Sequence, residues 1–236
     1  MAIWAIIPAA GRGQRLGALR PKQYLAVAGR ALILHVLDCF LTEPRISGIA
    51  IALAPGDREW PEVAPVEPRK PVLIVPGGRD RSDSVLSALN ALTGKLEKDD
   101  WVIVHDAARP CLRPEDLGHL IDMVSNDSVG GVLAVPVVDT LKRADSGGHI
   151  TATVPRKELW RALTPQMFRY GLLQAALLES RSAGSLVTDE AMAVERVGYV
   201  PRLVEGSADN IKVTHAQDLV LAEAILLHRH GSSAKQ

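Results

Sequence analysis

The sequence predicts an α/β fold in which a mostly parallel β-sheet carries helices on both faces. Short runs of β-branched and apolar residues alternate with amphipathic segments along most of the chain, as repeated strand and helix units do. The 236 residues are 47% hydrophobic and 23% charged, which is typical of a globular protein with a substantial core. Neither an internal repeat nor a linker is apparent, so we expect one domain over residues 1–236.

The predicted elements follow one another in a regular order. Strands are expected at AIWAII, GIAIAL, VLIV, WVIV, GGVLAVPV and YVPRLVEG, because each is a short apolar run bounded by turn residues. Amphipathic helices are expected at ALILHVLDCFL, SDSVLSALNAL, PEDLGHLIDMV and HAQDLVLAEAILLHR. The last six residues, GSSAKQ, are typical of a frayed end.

Residues 139–154, DTLKRADSGGHITATV, interrupt this pattern. Two runs that alternate polar and apolar residues flank Asp-Ser-Gly-Gly, which is typical of a β-hairpin. The hairpin is too polar for a pair of core strands. We therefore predict a protruding β-hairpin arm over about residues 137–156.

Charge and cysteine content exclude several classes of protein. Lysine plus arginine and aspartate plus glutamate number 27 each, which argues against a general nucleic-acid or membrane surface. The N-terminal apolar run precedes the first cation, the reverse of a secretory signal, and no apolar stretch approaches the roughly 20 residues that span a bilayer. Cys39 and Cys111 form neither a CxxC motif nor a disulfide framework. A cytoplasmic protein with reduced cysteines is expected.

The stretch IIPAAGRGQRLGALRPKQYL, residues 6–25, is the first candidate site. An apolar strand runs into a loop that has three glycines, no acid and four cations. Glycine lets backbone N–H groups converge on an anion, and the cations supply the opposite charge. An exposed basic turn is the alternative for this loop alone. The cations are Arg12, Arg15, Arg20 and Lys22.

Two familiar phosphate-binding motifs do not fit this loop. A P-loop requires Lys-Ser or Lys-Thr after its last glycine, but Ala18 follows Gly17. The dinucleotide fingerprint requires glycine where Leu16 stands. A nucleotide at this loop would therefore be bound by another geometry.

Four polar loops follow predicted strands and are expected to share one surface, since ligands of open α/β sheets sit beyond the carboxyl ends of the strands. These loops are PAAGRGQR, PGGRDRSDS, HDAARP and SADNIKVT. Phosphoryl transfer from a nucleoside triphosphate needs cations and a carboxylate for Mg²⁺. Alternatively, HDAARP forms only a helix-start turn with an internal ion pair. The residues of the required types are Asp106, Arg109, Asp209 and Lys212.

Eight motifs carry a resemblance to a known family. In order, they are PAAGRGQRL, RPKQYL, PGGRDRSDSV, VHDAARP, DTLKR, LTPQ, TDEA and ADNIKVT. Together they closely resemble the 2-C-methyl-D-erythritol 4-phosphate cytidylyltransferases of the non-mevalonate isoprenoid pathway, over nearly the whole chain. HDAARP, ADNIKVT and the hairpin are the specific part, since the basic loop alone would imply only a sugar-nucleotide transferase fold.

The resemblance implies a Rossmann-like nucleotidyltransferase fold and a reaction. CTP and methylerythritol phosphate would give 4-diphosphocytidyl-2-C-methyl-D-erythritol and pyrophosphate, with Mg²⁺ or another divalent cation and no covalent enzyme intermediate. It also implies a two-fold homodimer in which the arm of one chain reaches the site of the other. Thr140 and Arg156 of one chain would then complete the site that holds Lys22 of its partner.

The resemblance also implies roles for individual residues. Arg15 and Lys22 would stabilise charge on the α-phosphate, and Arg156 and Lys212 would place the attacking phosphate. Asp106 and Asp209 would lie near a metal that CTP phosphates largely hold. The cytidine pocket would comprise Ala9, Ala10, Gly11, Gly13, Gly78, Arg81, Ser84 and Ala107. The acceptor side would comprise Asp106, Arg109, Thr140, Thr164 and Thr188.

Three residues beside these motifs carry separate expectations. Arg79 departs from the family, which often has an acid at this position, and would affect contacts at the base or its rim. His105 would orient its loop. Glu190 would either hydrogen-bond a substrate hydroxyl or cap its helix.

Two other functions compete with this assignment. The first is a cytidylyltransferase for another polyol phosphate such as ribitol 5-phosphate, since acceptor pockets differ by few hydroxyl contacts. DTLKR and TDEA favour methylerythritol phosphate. The second is a nucleotide-binding regulator that has lost catalysis, which should lack a cation at position 15, 22 or 212. All three cations are present.

Overall fold

A seven-stranded sheet forms the centre of the molecule in the computed structural model, which describes residues 1–11, 20–65 and 67–233. All its neighbouring strands are parallel except at one strand, 160–169, which is antiparallel to both of its neighbours. From edge to edge the strands are β11 (Arg202–Glu205), β7 (Gly130–Pro136), β10 (Trp160–Arg169), β6 (Trp101–Val104), β1 (Ile3–Ala9), β4 (Gly48–Leu53) and β5 (Val72–Pro76).

Helices cover both faces of this sheet. α1 (Leu32–Thr42) and α4 (Pro114–Val124) pack on one face through apolar side chains such as Phe40 and Leu120. On the opposite face lie α3 (Arg81–Ala91), α5 (Tyr170–Ser182) and α6 (Glu190–Arg196). β4 is buried along its whole length, as expected for a parallel strand between two helical layers. The predicted fold class, a mostly parallel α/β sheet, is confirmed.

Several small elements lie beside the main sheet and its helices. A short 3-10 helix (Lys22–Tyr24) is followed by the two-stranded ribbon of β2 (Ala26–Val27) and β3 (Arg30–Ala31). A one-turn helix, α2 (Trp60–Val63), follows β4.

The closing helix α7 (Ala216–Ser233) packs Ala222 and Leu226 on this ribbon. The helix is longer than expected, because it continues through Gly231, where the sequence predicted a frayed end. No helix in the described part of the chain is both long and apolar enough to cross a membrane.

β10 and α5 were not predicted from the sequence. Pro165 lies inside β10, and proline within a run argues against a central strand because it cannot donate to the ladder. The structure accommodates it at an irregularity, where the register with β7 shifts between Ala162 and Gln166. The antiparallel strand therefore places residues 163–165 out of regular pairing, next to the loop that follows β6.

The predicted arm is an exposed antiparallel hairpin of β8 (Leu141–Ala144) and β9 (Ile150–Val154). It forms a separate two-stranded sheet, and residues 138–153 are all exposed. At its tip, Asp145 Oδ1 accepts the backbone N–H groups of Gly147 and His149, each at 2.9 Å. The turn thus satisfies its backbone locally and needs no contact with the core.

Candidate active site

The loops at the carboxyl ends of β1, β5 and β6 enclose a first cavity of about 220 Å³. Small side chains and backbone form much of its wall, which leaves room for a flat ligand. Its lining includes seven of the residues predicted to bind cytidine, together with Lys22, Asp106 and Lys212. The seven are Ala9, Ala10, Gly11, Gly78, Arg81, Ser84 and Ala107.

A second cavity of about 190 Å³ adjoins the first. The bulge of β10 and the start of α6 form one side of it. Four residues predicted for the acceptor side line it, namely Asp106, Arg109, Thr164 and Thr188. Both cavities are lined by Arg81, Asp106 and Lys212, so these side chains form the boundary at which two ligands would meet.

Asp106 is the centre of that boundary. Its Oδ1 accepts a hydrogen bond from Arg81 Nε at 2.8 Å, and its Oδ2 lies 2.9 Å from Lys212 Nζ and 3.5 Å from Arg109 Nε. Burial alone would raise the pKa of Asp106, but the charges of Arg81 and Lys212 hold it well below its usual range. The carboxylate is therefore ionised and gathers three cations between the cavities.

Arg81 is held from its other end by Glu190. The two terminal nitrogens of Arg81 donate to the two carboxylate oxygens of Glu190 at 2.6 and 2.9 Å, and Glu190 is fully buried. Burial would lower the pKa of Arg81, but the carboxylates of Glu190 and Asp106 hold it above its usual range. The guanidinium is thus fixed by two acids at once.

A buried network orients Arg109 and the backbone of the HDAARP loop. The Asp106 N–H donates to Thr164 Oγ1 at 3.0 Å, which leaves the Thr164 hydroxyl proton for His105 Nδ1, also at 3.0 Å. His105 Nε2 then carries a proton and donates to the Arg109 carbonyl at 3.1 Å. Burial lowers the pKa of His105 to about 4, so the ring is neutral. His105 therefore orients its loop, as the sequence predicted.

Arg109 itself is fixed from the far side by the ADNIKVT segment. Its Nη1 donates to the Asn210 carbonyl at 2.8 Å, and Asn210 Nδ2 donates to the Thr164 carbonyl at 2.8 Å. Burial lowers the pKa of Arg109. Val213 N–H reaches the Ala108 carbonyl at 2.8 Å, so this segment and the HDAARP loop form one unit.

Two consecutive glycines lie in the loop from β5 to α3, and the packing of this loop requires glycine at position 78. A Cβ at Gly78 would lie 2.2 Å from Asp83 Cβ, so only glycine fits there. The Gly78 N–H donates to Ser84 Oγ at 3.1 Å, and Asp80 caps α3 by accepting the Asp83 N–H at 2.8 Å. Arg79, the residue that departs from the family pattern, is largely exposed. Its Nε lies 3.4 Å from Asp83 Oδ2.

Lys22 reaches the first cavity from the short 3-10 helix. Its neighbours anchor that helix, because Gln23 Nε2 donates to the Ala9 carbonyl at 2.7 Å and Tyr24 Oη donates to Asp57 Oδ2 at 2.9 Å. Burial raises the pKa of Tyr24 above its usual range, so the phenol keeps its proton. Lys22 Nζ also lies 3.4 Å from the Val213 carbonyl, which ties this helix to the ADNIKVT segment.

Some predicted site residues lie away from both cavities, and others lie outside the described ranges. Thr140 and Arg156 belong to the exposed arm and line neither cavity, and Arg156 donates to the Val138 carbonyl. The predicted roles of Arg15 and Gly13 fall on residues outside the described ranges. For these residues the sequence-based roles stay predictions.

Asp209 is occupied by two arginines. Its carboxylate lies 2.7 Å from Arg113 Nη2 and 2.8 Å from Arg229 Nη2, and it lines neither cavity. Within the ranges described, no three His, Cys, Asp or Glu side chains come together as a metal-binding group. Asp106 is the carboxylate that lines both cavities, and it fits Mg²⁺ when substrate phosphates supply further ligands. A part for Asp209 in metal binding stays a prediction.

Sequence reasoning missed the partners of two residues that organise the site, Glu190 and Gln166. Glu190 does not cap α6, since Asp189 accepts the Met192 N–H at 3.0 Å, and it binds Arg81 instead. Gln166 accepts the Ala191 N–H at 2.9 Å and is fully enclosed. Their motifs, TDEA and LTPQ, were recognised, but nothing in the spacing indicates which arginine or amide each side chain meets.

The fold and the site define a class of enzyme, an α/β nucleotidyltransferase with adjoining cavities that share a cluster of cations. Residues 3–228 match the model of the IspD family, described as 2-C-methyl-D-erythritol 4-phosphate cytidylyltransferase. The chain belongs to this family.

Individual relatives agree with this assignment. A protein of Ectopseudomonas mendocina named 2-C-methyl-D-erythritol 4-phosphate cytidylyltransferase is 53% identical over 218 residues, which cover 92% of each chain. A crystal structure of a 4-diphosphocytidyl-2C-methyl-D-erythritol synthase is 39% identical with a TM-score of 0.82, and covers 95% of this chain and 98% of that one. The Francisella tularensis cytidylyltransferase structure is 33% identical with a TM-score of 0.78, over 95% of this chain and all of that one.

Proposed function

We propose that this enzyme transfers CMP from CTP to 2-C-methyl-D-erythritol 4-phosphate. A phosphate oxygen of the acceptor attacks the α-phosphorus in line, and the bond from that phosphorus to the α–β bridging oxygen breaks. The products are 4-diphosphocytidyl-2-C-methyl-D-erythritol and pyrophosphate. No proton has to be removed from the nucleophile, because the acceptor phosphate attacks as an anion.

The shared boundary of the two cavities is the observation that carries this proposal. The reaction brings two anions together, and their repulsion must be offset where they meet. Around Asp106 and Glu190, three cations face two carboxylates, which leaves a net positive charge at that boundary. The cations are Arg81, Arg109 and Lys212.

The described residues divide the work between the two ligands. The small residues and the Gly78 loop accommodate the cytidine, and Lys22 carries positive charge into the same cavity. Arg109 and Thr164 hold the acceptor in the second cavity, with Lys212 between the two phosphates. Cations that are fixed before the reaction stabilise charge on the α-phosphate without reorganising during the step.

Mg²⁺ is the cofactor that this donor set fits. When bound, it would neutralise charge on the triphosphate and the departing pyrophosphate. Asp106, the carboxylate that lines both cavities, would contribute to its binding alongside phosphate oxygens of CTP.

A substrate panel tests the proposal. Pyrophosphate release should be measured with CTP, UTP, ATP and GTP, each with methylerythritol phosphate or ribitol 5-phosphate, with and without Mg²⁺. Fast turnover is expected only for CTP with methylerythritol phosphate and Mg²⁺, because the small residues of the first cavity leave room for a pyrimidine and let backbone groups read the edge at which cytosine differs from uracil. Equal rates with ribitol 5-phosphate would reassign the acceptor, and equal rates with UTP would contradict the base specificity.

The assembly and location belong to the same proposal. A two-fold homodimer in which the arm of one chain reaches the partner's site is supported by the exposed positions of Thr140 and Arg156 outside both cavities. A cytoplasmic location is supported by Cys39 and Cys111, which are both buried free thiols.

A further inference from the structure

Glu190 is a fully buried carboxylate whose partner is a site arginine. Buried acids are rare unless they are paired, and this one is paired with Arg81 through two parallel hydrogen bonds. Such a fork fixes the plane of a guanidinium as well as its distance. The pair therefore sets the orientation of a side chain that lines both cavities.

The position of Glu190 is itself fixed from β10. Gln166 Nε2 donates to Asp189 Oδ2 at 2.9 Å, and Gln166 Oε1 accepts the Ala191 N–H at 2.9 Å. Glu190 stands between those two contacts, so the start of α6 cannot shift along β10 without breaking them. The carboxylate is thus held on a rigid support.

The orientation of Arg81 decides how the oxygens of Asp106 are shared. Because both terminal nitrogens of Arg81 donate to Glu190, only Nε is left to donate to Asp106. That nitrogen contacts one carboxylate oxygen of Asp106, Oδ1. The other oxygen, Oδ2, receives Lys212 and Arg109. A guanidinium free of Glu190 could turn two of its nitrogens to the same carboxylate, as arginine and carboxylate commonly pair.

We propose that Glu190 is a positioning residue for the transfer reaction: it holds Arg81 so that Asp106 keeps one oxygen for Lys212. Through this chain of contacts Glu190 sets the place of the lysine that meets both phosphates. The inference rests on the proposed function, in which Lys212 lies between the acceptor phosphate and the α-phosphate.

Glu190→Gln should show a particular kinetic signature. The amide cannot accept both hydrogen bonds from Arg81, so Arg81 turns to Asp106 and displaces Lys212. The same change removes a negative charge near the phosphates, so electrostatics does not weaken substrate binding. We therefore expect kcat to fall at least tenfold, while KM for CTP and for methylerythritol phosphate rises less than threefold.

Two further variants control this test. Glu190→Asp keeps the charge but is too short to hold both terminal nitrogens, so its kcat should lie between those of Glu190→Gln and the wild type. Glu43→Gln is the matched control, because Glu43 is also mostly buried and lies 2.6 Å from Arg45 Nε, remote from both cavities. It should keep wild-type kcat and KM. Thermal melting of every variant reports whether folding is affected.

The outcomes separate positioning from other roles. A folded Glu190→Gln protein with kcat within threefold of wild type, or with kcat unchanged and KM raised, would overturn the proposal. If Glu190→Gln does not fold, Glu190→Asp carries the test, and a wild-type kcat there would overturn it equally.

A crystal structure of Glu190→Gln tests the contact without any assay. Arg81 is expected to place two nitrogens on Asp106, with Lys212 Nζ beyond hydrogen-bond distance of that carboxylate. An unchanged Arg81, Asp106 and Lys212 arrangement would overturn the inference. An inactive wild-type enzyme in the substrate panel would instead refute the proposed function, and the crystal structure would still decide whether Glu190 sets these contacts.

Discussion

His105 is the residue that joins the apolar core to the charged boundary of the two cavities. Its ring lies 5.5 Å from that of Phe40, and it is completely enclosed. Each ring nitrogen has one partner, the Thr164 hydroxyl and the Arg109 carbonyl. Since Thr164 also accepts the N–H of Asp106, one neutral imidazole fixes both charged residues of the HDAARP loop.

The low pKa of His105 predicts a pH dependence of stability. The pKa falls from 6.5 to about 4 because burial disfavours the charged ring. Between these values the unfolded chain binds a proton that the folded chain does not, so acid favours unfolding. The free energy of unfolding therefore has its full value above pH 6.5. As the pH falls towards 4, protonation of His105 in the unfolded chain lowers it by up to about 3 kcal/mol.

Urea unfolding at pH 7, 6, 5 and 4.5 measures this effect. His105→Asn should lose less of its free energy of unfolding than the wild type over this range, although it starts from a lower value. His119→Asn replaces an exposed histidine of α4 and should follow the wild-type curve. If His105→Asn and the wild type lose stability in parallel, then the ring is not buried in its neutral form.

Apart from the family resemblance, contacts between site residues were predictable from the sequence only where both partners lie in one motif. Asp106 and Arg109 are three positions apart in one motif, and a cation and an acid after a strand indicate an anion site. Glu190 lies 109 positions from its partner Arg81, and Gln166 lies 25 from Ala191. Such contacts depend on how α6 docks on β10, which no local pattern specifies.

At the scale of elements, the connection from β5 to α3 shows how backbone geometry forms the first cavity. The Gly77 N–H bonds to the Leu53 carbonyl, and the Gly78 N–H to Ser84, so both residues of the turn are fixed. A side chain at Gly78 would collide with the first turn of α3. The turn that forms this wall of the cavity is therefore packed directly against the start of α3.

Gly78→Ala should lower CTP affinity at least tenfold, because the new Cβ forces the loop away from Asp83. The strain should also reduce the free energy of unfolding by about 1–3 kcal/mol. Titration calorimetry with CTP and Mg²⁺ measures the first effect, and urea unfolding the second.

Gly118→Ala is the matched control for this variant. The nearest atom to its added Cβ is the flexible end of Arg45 at 3.3 Å, and alanine favours the interior of α4. Its CTP affinity should be that of the wild type. Wild-type CTP affinity in Gly78→Ala would mean that this turn does not form the nucleotide cavity.

The strands and helices also show where sequence patterns are sufficient. β4 and β6 were predicted because fully buried parallel strands are short continuous apolar runs. β10 was not predicted, because its sequence WRALTPQMFR contains polar residues and a proline. That strand is tolerated at the centre of the sheet because residues 163–165 leave the ladder, and this departure is what brings Thr164 to Asp106.

At the scale of the whole molecule, contacts within one chain do not account for the exposed apolar side chains of the arm. Its apolar side chains have no core to cover, and Val138 and Ile150 are 75% and 66% exposed. Exposed apolar groups on a protruding element are typical of a surface that another chain covers. The proposed homodimer accounts for these exposed groups and for the distance of Arg156 from the cavities.

Complementation between two inactive variants tests this shared site. Lys22→Ala removes a cation from the first cavity, and Arg156→Ala removes one from the arm, so each homodimer should lose activity about a hundredfold or more. In a heterodimer, one site would carry both defects and the other neither. Mixing the variants under conditions of subunit exchange should therefore restore activity, approaching one quarter of the wild-type value at equal concentrations if exchange is statistical, since roughly half of the dimers are then mixed.

The control for this experiment is a pair of variants that share the Arg156→Ala defect. Mixing Arg156→Ala with an Arg156→Ala, Lys22→Ala double variant should restore nothing, because every site then lacks Arg156. Exchange is verified by mass spectrometry of differently tagged chains. If mixed dimers form and the mixture of Lys22→Ala with Arg156→Ala also stays inactive, then Arg156 serves the cavity of its own chain. The arm must in that case fold back to reach this cavity.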